Sequence, residues 1–394
     1  MLNFDFLVST RLVFGKGAQR ETGRLVKEYG AKKVLLHYGG GSIKRSGLYD
    51  EITASLKESG IDFTELGGVV PNPRLSLVYK GIELVKKEGV DFILAVGGGS
   101  AIDSAKAIAV GALADRDVWD FYMGEAEVTE ALPVATVLTI PAAGSETSNS
   151  SVITNEEKEL KYSIDVQAVL PVFSIMNPEL FFTLPKSQIG YGVADIMSHM
   201  FERYFTNTKS TDLTDALSEA TLRVVMKNAL IVAENPKDYD AWAQIGHCGS
   251  MGHTNILGLG REQEWSCHPI EHELSAIYDV AHGGGLAVLT PAWMEYVYRE
   301  NIPMFTQFAV NVMGVADISF RNPEAIILEG IRRLRVFFNT IGLPGTLSGL
   351  GIGSDKLELM AKKATGAAFG DEAPLGKIKP LYWQDVLNIL NLCK

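Results

Sequence analysis

Three of the seven histidines, His268, His272 and His282, fall within 15 residues of one another. Pro269 suits the first position of a helix, where a missing N–H costs nothing. The spacing predicts a helix from there to about Tyr278, with Asp279 as its breaker. His268 and His272 then lie one turn apart on one face. His282 comes at the next turn, followed by Gly283, Gly284 and Gly285, which let other groups approach closely. Upstream, Asp195 and His199 are four residues apart in a segment of helical character, so both side chains face the same way. Asp195, His199, His268 and His282 together offer three imidazole nitrogens and one carboxylate oxygen. That set suits a borderline divalent ion such as Fe2+, Zn2+ or Mn2+, with a position left for substrate.

The elements that must position these residues alternate in the first half of the chain. Short strands are expected within residues 4–14, then a helix over 18–30. Lys33–Tyr38 reads as a buried strand running into Gly39-Gly40-Gly41-Ser42, and a helix follows near 47–59. Phe63–Val70 suggests a strand, 75–88 a helix, and Asp91–Val96 another buried strand that runs into Gly97-Gly98-Gly99-Ser100 and the helix Ala101–Ala112. Val134–Ile140 is a further strand. Strands alternating with helices at this spacing predict a parallel sheet covered on both faces. Beyond Leu184-Pro185 the pattern is helix after helix: about 186–205, 212–233, 239–257, 270–278, 284–299, 303–312, 323–339, 355–367 and 381–391. The expectation is an α/β dinucleotide-binding domain over 1–184 and an all-α domain over 185–394.

At 394 residues the chain is longer than one core usually supports. Its formal net charge of −11 argues against nucleic acid or an anionic membrane as partner. Cys248, Cys267 and Cys393 are odd in number and scattered, which fits a reducing compartment. The N-terminus lacks the pattern of a signal peptide, and no apolar run reaches the ~20 residues of a membrane span. A cytoplasmic protein is the expectation.

Gly97, Gly98, Gly99 and Ser100 lie between a buried strand and a helix. Bare backbone N–H groups and the positive end of the helix dipole cradle a phosphate in that setting; a tight turn without a ligand is the other reading. Asp103, one turn in, either bonds a ribose hydroxyl or stabilises the helix start. At Gly39–Ser42 there is no acidic residue of the kind that accepts from an adenosine ribose 2′-OH. Ser42, the bare N–H groups of Gly40 and Gly41, and nearby Lys44 and Arg45 would instead receive a 2′-phosphate, which leans to NADP(H) over NAD(H); a solvated loop is the alternative.

These motifs allow a comparison. Phe14-Gly15-Lys16-Gly17, Tyr38–Ser42, Pro71-Asn72-Pro73, Gly97–Lys106, Pro141–Glu146, Asp195…His199, His268…His272 and His282-Gly283 occur in an order that resembles the iron-containing, metal-dependent alcohol dehydrogenases, a dehydroquinate synthase-like fold. Within them the chain looks most like the butanol dehydrogenase and aldehyde reductase branch. The resemblance implies a dinucleotide-binding domain, a helical metal domain and a cleft between them. It implies that Asp195, His199, His268 and His282 hold the metal, Fe2+ with Zn2+ as the alternative. It assigns Gly98, Gly99, Ser100, Asn72, Thr139 and Lys161 to the cofactor, with Gly40, Gly41 and Ser42 near the 2′-phosphate. The implied activity is hydride transfer between a nicotinamide cofactor and a small aliphatic alcohol or aldehyde such as butanol or butanal, in a homodimer paired through the N-terminal strands. Thr147–Ser151 departs from the branch in being serine-rich.

His272 and Asp103 are the candidate catalytic residues outside the ligand set. His272 either relays a proton or orients a ligand. His247 and His253, six apart, are badly spaced for shared ligation and read as packing or cleft-lining residues. His37, at the end of a buried strand, reads as structural, and Cys267 points away from its neighbour His268. A polyol dehydrogenase and a dehydroquinate synthase-like cyclase are the rival enzymes. The cyclase needs a basic cluster, and between 241 and 300 only Arg261 and Arg299 are basic. A non-enzymatic metal-stabilised sensor is the remaining rival.

Overall fold

The computed structural model describes residues 1–316 and 322–394. They form two compact units, Leu7–Thr183 and a second made of Met1–Phe6 with Leu184–Lys394.

The first unit runs β1 (Arg11–Phe14), α1 (Thr22–Glu28), β2 (Lys33–Gly39), α2 (Ser42–Arg45), α3 (Leu48–Glu58), β3 (Asp62–Val69), α4 (Leu75–Glu88), β4 (Phe92–Gly97), α5 (Gly99–Leu113), α6 (Val118–Tyr122), β5 (Val134–Leu138), β6 (Ser150–Asn155), β7 (Leu160–Asp165) and β8 (Phe173–Met176). Six strands form one sheet in the order β1-β8-β5-β4-β2-β3, all pairs parallel. Every residue of β4 and β5 is buried, as expected of strands covered on both faces. Leu25, Val26, Leu48, Ile52 and Leu56 of α1 and α3 close one face over Val34, Leu36, Leu94, Val96 and Ile175. The other face carries α5, which is buried from Ala101 to Gly111 and includes a fully buried lysine, Lys106.

The structure differs from the sequence reading here, adding the short helices α2 and α6 and departing in three further places. Residues 4–10 form no strand, so the N-terminal pairing begins only at Arg11. β8 is four residues long, too short to stand out against its flanks. The antiparallel ribbon β6–β7 is rich in serine and polar residues, and tertiary contacts hold it. The Lys106 ammonium donates to the carbonyls of Ser145, Ser148 and Ser150 and to Ser145 Oγ, at 2.7–2.9 Å. Burial lowers this lysine to about 8.

The second unit is built from α7 (Lys186–Tyr204), α8 (Asp212–Glu234), α9 (Tyr239–His253), α10 (Cys267–Tyr278), α11 (His282–Val297), α12 (Ile302–Asn311), α13 (Pro323–Thr340), α14 (Leu357–Ala364) and α15 (Trp383–Leu392). No helix of the described residues is long and apolar enough to cross a membrane. α7 is buried along almost its whole length. It packs against α8, α9 and α11 and so forms the spine of this unit.

Candidate active site

The helix predicted to begin at Pro269 begins two residues earlier. Pro269 is its third residue, still among the first four whose N–H groups lack an intrahelical partner. Asp279, in the left-handed conformation at φ 52°, ends it. The first residue of α11 is His282 itself.

Three of the four expected ligands converge closely. Asp195, His268 and His282 each offer an atom within 4.8 Å of the others. His199 stands beside this trio, its Nδ1 3.3 Å from Asp195 Oδ1 and its ring centroid 4.6 Å from that of His268. Burial, and then the neighbouring His253 and His268, push His199 well below its ordinary range, so its ring is neutral. His268 Nε2 and His199 Nδ1 are buried and find no hydrogen-bond partner among the described residues. Such orphaned nitrogens carry a desolvation cost that a bound cation relieves. The donor set therefore fits a divalent metal of the iron or zinc type.

Two buried glutamates lock the rings. Glu202 accepts from Nδ1 of His268 at 3.0 Å, and Glu271 accepts from Nδ1 of His282. A carboxylate on Nδ1 sets the tautomer and turns Nε2 toward the metal position; His282 Nε2 indeed faces Asp195, 3.8 Å from its Oδ1. The connectivity is staggered. Glu202 lies one turn beyond His199 yet serves His268, and Glu271 lies one turn beyond His268 yet serves His282. Sequence reading missed both glutamates. The available signal was a carboxylate three residues after each histidine, which on a helix usually marks a solvated face.

The three glycines after His282 all allow close packing, and Gly283 is required by it. A Cβ on Gly283 would run into the backbone carbonyl of Tyr191 on α7. One on Gly284 would meet the Tyr191 ring at 3.0 Å, and one on Gly285 would meet Glu271 Cγ at 2.7 Å. His272 is half-buried with its ring centroid 5.6 Å from that of His282. His253, expected to be a packing or lining residue, closes α9 against the cluster, its ring 4.2 Å from His199 and its Nδ1 3.2 Å from Arg203 Nη2. Trp265 covers the same side, 5.2 Å from the His268 ring. His247 is exposed and Cys267 is buried.

In the other unit, β2 and β4 are neighbours whose onward connections leave in opposite directions, β2 to β3 and β4 to β5. The two glycine loops leave the carboxyl ends of this pair, the position where open α/β sheets bind ligands. A Cβ on Gly98 would meet Ile140 Cβ at 2.9 Å and one on Gly99 would meet Ala143 Cβ at 2.9 Å. Thr139 N donates to the Gly97 carbonyl at 2.9 Å. Glycine is thus demanded by the 140–143 segment behind the loop, at the start of the 15-residue α5. Lys161 Nζ donates to Asn72 Oδ1 at 3.0 Å, so two of the expected cofactor residues meet each other. Asp103 accepts from Ser145 Oγ at 2.6 Å and from Val152 N at 3.3 Å. Its carboxylate braces the segment after β5 and the ribbon. Gly40 is open to any approach, and Gly41 adopts φ 98°. Lys44, counted in sequence as a cation for a 2′-phosphate, instead lies 3.3 Å from Glu65 of β3.

A dinucleotide-type switch point in one unit and a carboxylate–histidine cluster in the other are the parts a metal- and nucleotide-dependent enzyme requires. Known proteins make this specific. The family model for iron-containing alcohol dehydrogenase matches residues 9–178, and the C-terminal model of the Fe-containing alcohol dehydrogenase family matches 190–392. The chain belongs to the iron-containing alcohol dehydrogenase family and is an oxidoreductase of the alcohol dehydrogenase class. It is 45% identical to NADH-dependent butanol dehydrogenase A of Clostridium acetobutylicum over 99% of both chains. It is 32% identical to the NADPH-dependent aldehyde reductase YqhD of Escherichia coli, covering 92% of this chain and 93% of that one. The crystal structure of NADH-dependent butanol dehydrogenase A from Thermotoga maritima superposes with a TM-score of 0.96 at 41% identity, covering 100% of this chain and 99% of that one.

Proposed function

We propose that this chain interconverts short aliphatic aldehydes and alcohols, of which butanal and butanol are representative, using NAD(H) and Fe2+ held by Asp195, His199, His268 and His282. The convergence of Asp195, His268 and His282 within 4.8 Å, with His268 Nε2 left without a hydrogen-bond partner among the described residues, carries the reading. When bound, the metal supplies Lewis-acid polarisation of a carbonyl and the nicotinamide supplies or accepts the hydride. Glu202 and Glu271 hold the ligand rings in one tautomer. His272 moves the proton exchanged with the alcohol oxygen. Gly97, Gly98, Gly99 and Ser100 receive the pyrophosphate, Gly40, Gly41 and Ser42 the adenosine ribose, and Asn72, Thr139 and Lys161 complete the cofactor's surroundings. Asp103 acts as a positioning residue for the segment that follows β5.

NAD(H) replaces the NADP(H) leaning of the sequence for two reasons. The ammonium of Lys44 is matched by Glu65. The relatives at 41–45% identity are named as NADH-dependent, whereas YqhD, at 32%, is named as NADPH-dependent. A homodimer paired through the edge strand β1 in the cytoplasm completes the proposal; β1 is outermost in its sheet, and all three cysteines are free thiols.

The test is anaerobic oxidation of NADH by butanal with chelator-stripped protein, Fe2+ added back, and NADPH run in parallel. Turnover that returns with iron and is faster with NADH supports the proposal. Faster turnover with NADPH overturns the cofactor assignment and leaves the reaction standing. No turnover with iron bound overturns the substrate assignment.

A further inference from the structure

Lys44 is held from three sides. Its Nζ lies 3.3 Å from Glu65 Oε2, 4.6 Å from the centroid of the Tyr49 ring and 5.2 Å from that of Tyr38. The Glu65 carboxylate is itself anchored, because Tyr38 Oη donates to the same Oε2 at 2.7 Å. Tyr38 cannot swing away. It is 6% exposed, and its ring lies so close to Gly67 that a Cβ there would meet Cε2 at 2.6 Å. Parallel pairing of β2 with β3 sets Leu36 opposite Glu65 and thereby brings the glutamate to the residues that follow Gly39–Ser42. A negative charge stands beside Lys44 of α2, the helix that follows the loop, whereas Arg45 of the same helix reaches toward Gly41.

We propose that Glu65 is a specificity-determining residue that selects against a 2′-phosphate by occupying Lys44. The inference rests on the reading that Gly40, Gly41 and Ser42 receive the adenosine ribose, and adds to it how the choice is made. A 2′-phosphate approaching Lys44 meets the Glu65 carboxylate as well, so attraction by one is offset by repulsion from the other. A 2′-hydroxyl carries no charge and incurs no such cost. Discrimination by a like charge placed against the unwanted ligand is a general device.

The test is fluorescence titration of the iron-loaded enzyme with NADH and with NADPH, for the wild type, Glu65→Gln, Lys44→Ala, the double variant and Ser42→Asp, each checked for an unchanged thermal transition. Glutamine keeps the length of the side chain and an acceptor for Tyr38. In Glu65→Gln the NADPH-to-NADH affinity ratio rises about fivefold, the scale of one half-exposed charge pair. In the double variant that gain is lost, because Lys44 is the group released. An unchanged ratio in Glu65→Gln, or a gain that survives removal of Lys44, overturns the inference. Ser42→Asp separates this outcome from failure of the underlying reading. If it weakens NADPH more than NADH while Glu65→Gln does nothing, the loop holds the ribose and only the role of Glu65 is wrong. If it alters neither cofactor, the loop does not hold the ribose and both fall.

Discussion

Glu202 Oε1 sits 3.0 Å from both the backbone nitrogen and the Nδ1 of His268. One oxygen of a glutamate on α7 thus captures the first turn of α10 and the ring that this turn presents. The orientation of the ring is thus held by protein groups. Glu202→Gln turns the acceptor into an ambiguous amide, and Fe2+ affinity should fall about 10- to 100-fold, the usual cost of losing such a partner. Metal titration monitored by activity should show turnover recovering at high Fe2+. A loss that excess iron does not restore would mean that the glutamate acts in some other way.

His272 lies outside the proposed ligand set, although it, Glu271 and His282 also bring ligand atoms within 4.8 Å of one another. If it moves the proton, His272→Gln should lower turnover about 100-fold, in the range of general acid–base catalysis, with iron content unchanged. The pH–rate profile should lose one limb. Equal turnover and an equal profile would count against the relay.

Lys106 satisfies three carbonyls and a hydroxyl in the segment that leads into β6. Lys106→Met fills the same volume and leaves those acceptors buried without a donor. The expected loss is about 3 kcal/mol of stability, read as a lower urea midpoint. Loosening of the 145–150 segment should be visible as faster amide exchange there.

His37 is fully buried between Leu66 O and Ser104 Oγ, each 2.8 Å from a ring nitrogen. Burial lowers it from 6.5 to about 4. Between those values the unfolded chain binds a proton that the folded chain refuses. Its contribution is therefore complete above pH 6.5 and is lost as the pH falls toward 4, about 3 kcal/mol in all. Denaturation of wild type and His37→Gln across pH 7 to 4 should show the smaller pH slope in the variant.

What could be read from the residues was whatever rare types at helical spacing reveal. Asp195 and His199 on one face, His268 and His282 around a breaker, and the paired strand–glycine–helix units all stand out locally. The glutamates did not, because a carboxylate one turn after a histidine looks like any solvated charge until a third helix is brought to it. Glu65 was invisible for a similar reason. It lies on the strand after the loop it influences, and only parallel pairing joins them. The ribbon β6–β7 was missed because its sequence is rich in serine and polar residues, and its bonds to Lys106 and Asp103 of α5 leave no local pattern.

Gly283 rests its Cα on the carbonyl of Tyr191, four residues before Asp195 on α7. At Gly283 the approach of α11, which carries His282, to α7, which carries Asp195, is therefore gauged by main chain against main chain. The spacing of these two candidate ligands is in this way written into a main-chain contact that any side chain at position 283 would break.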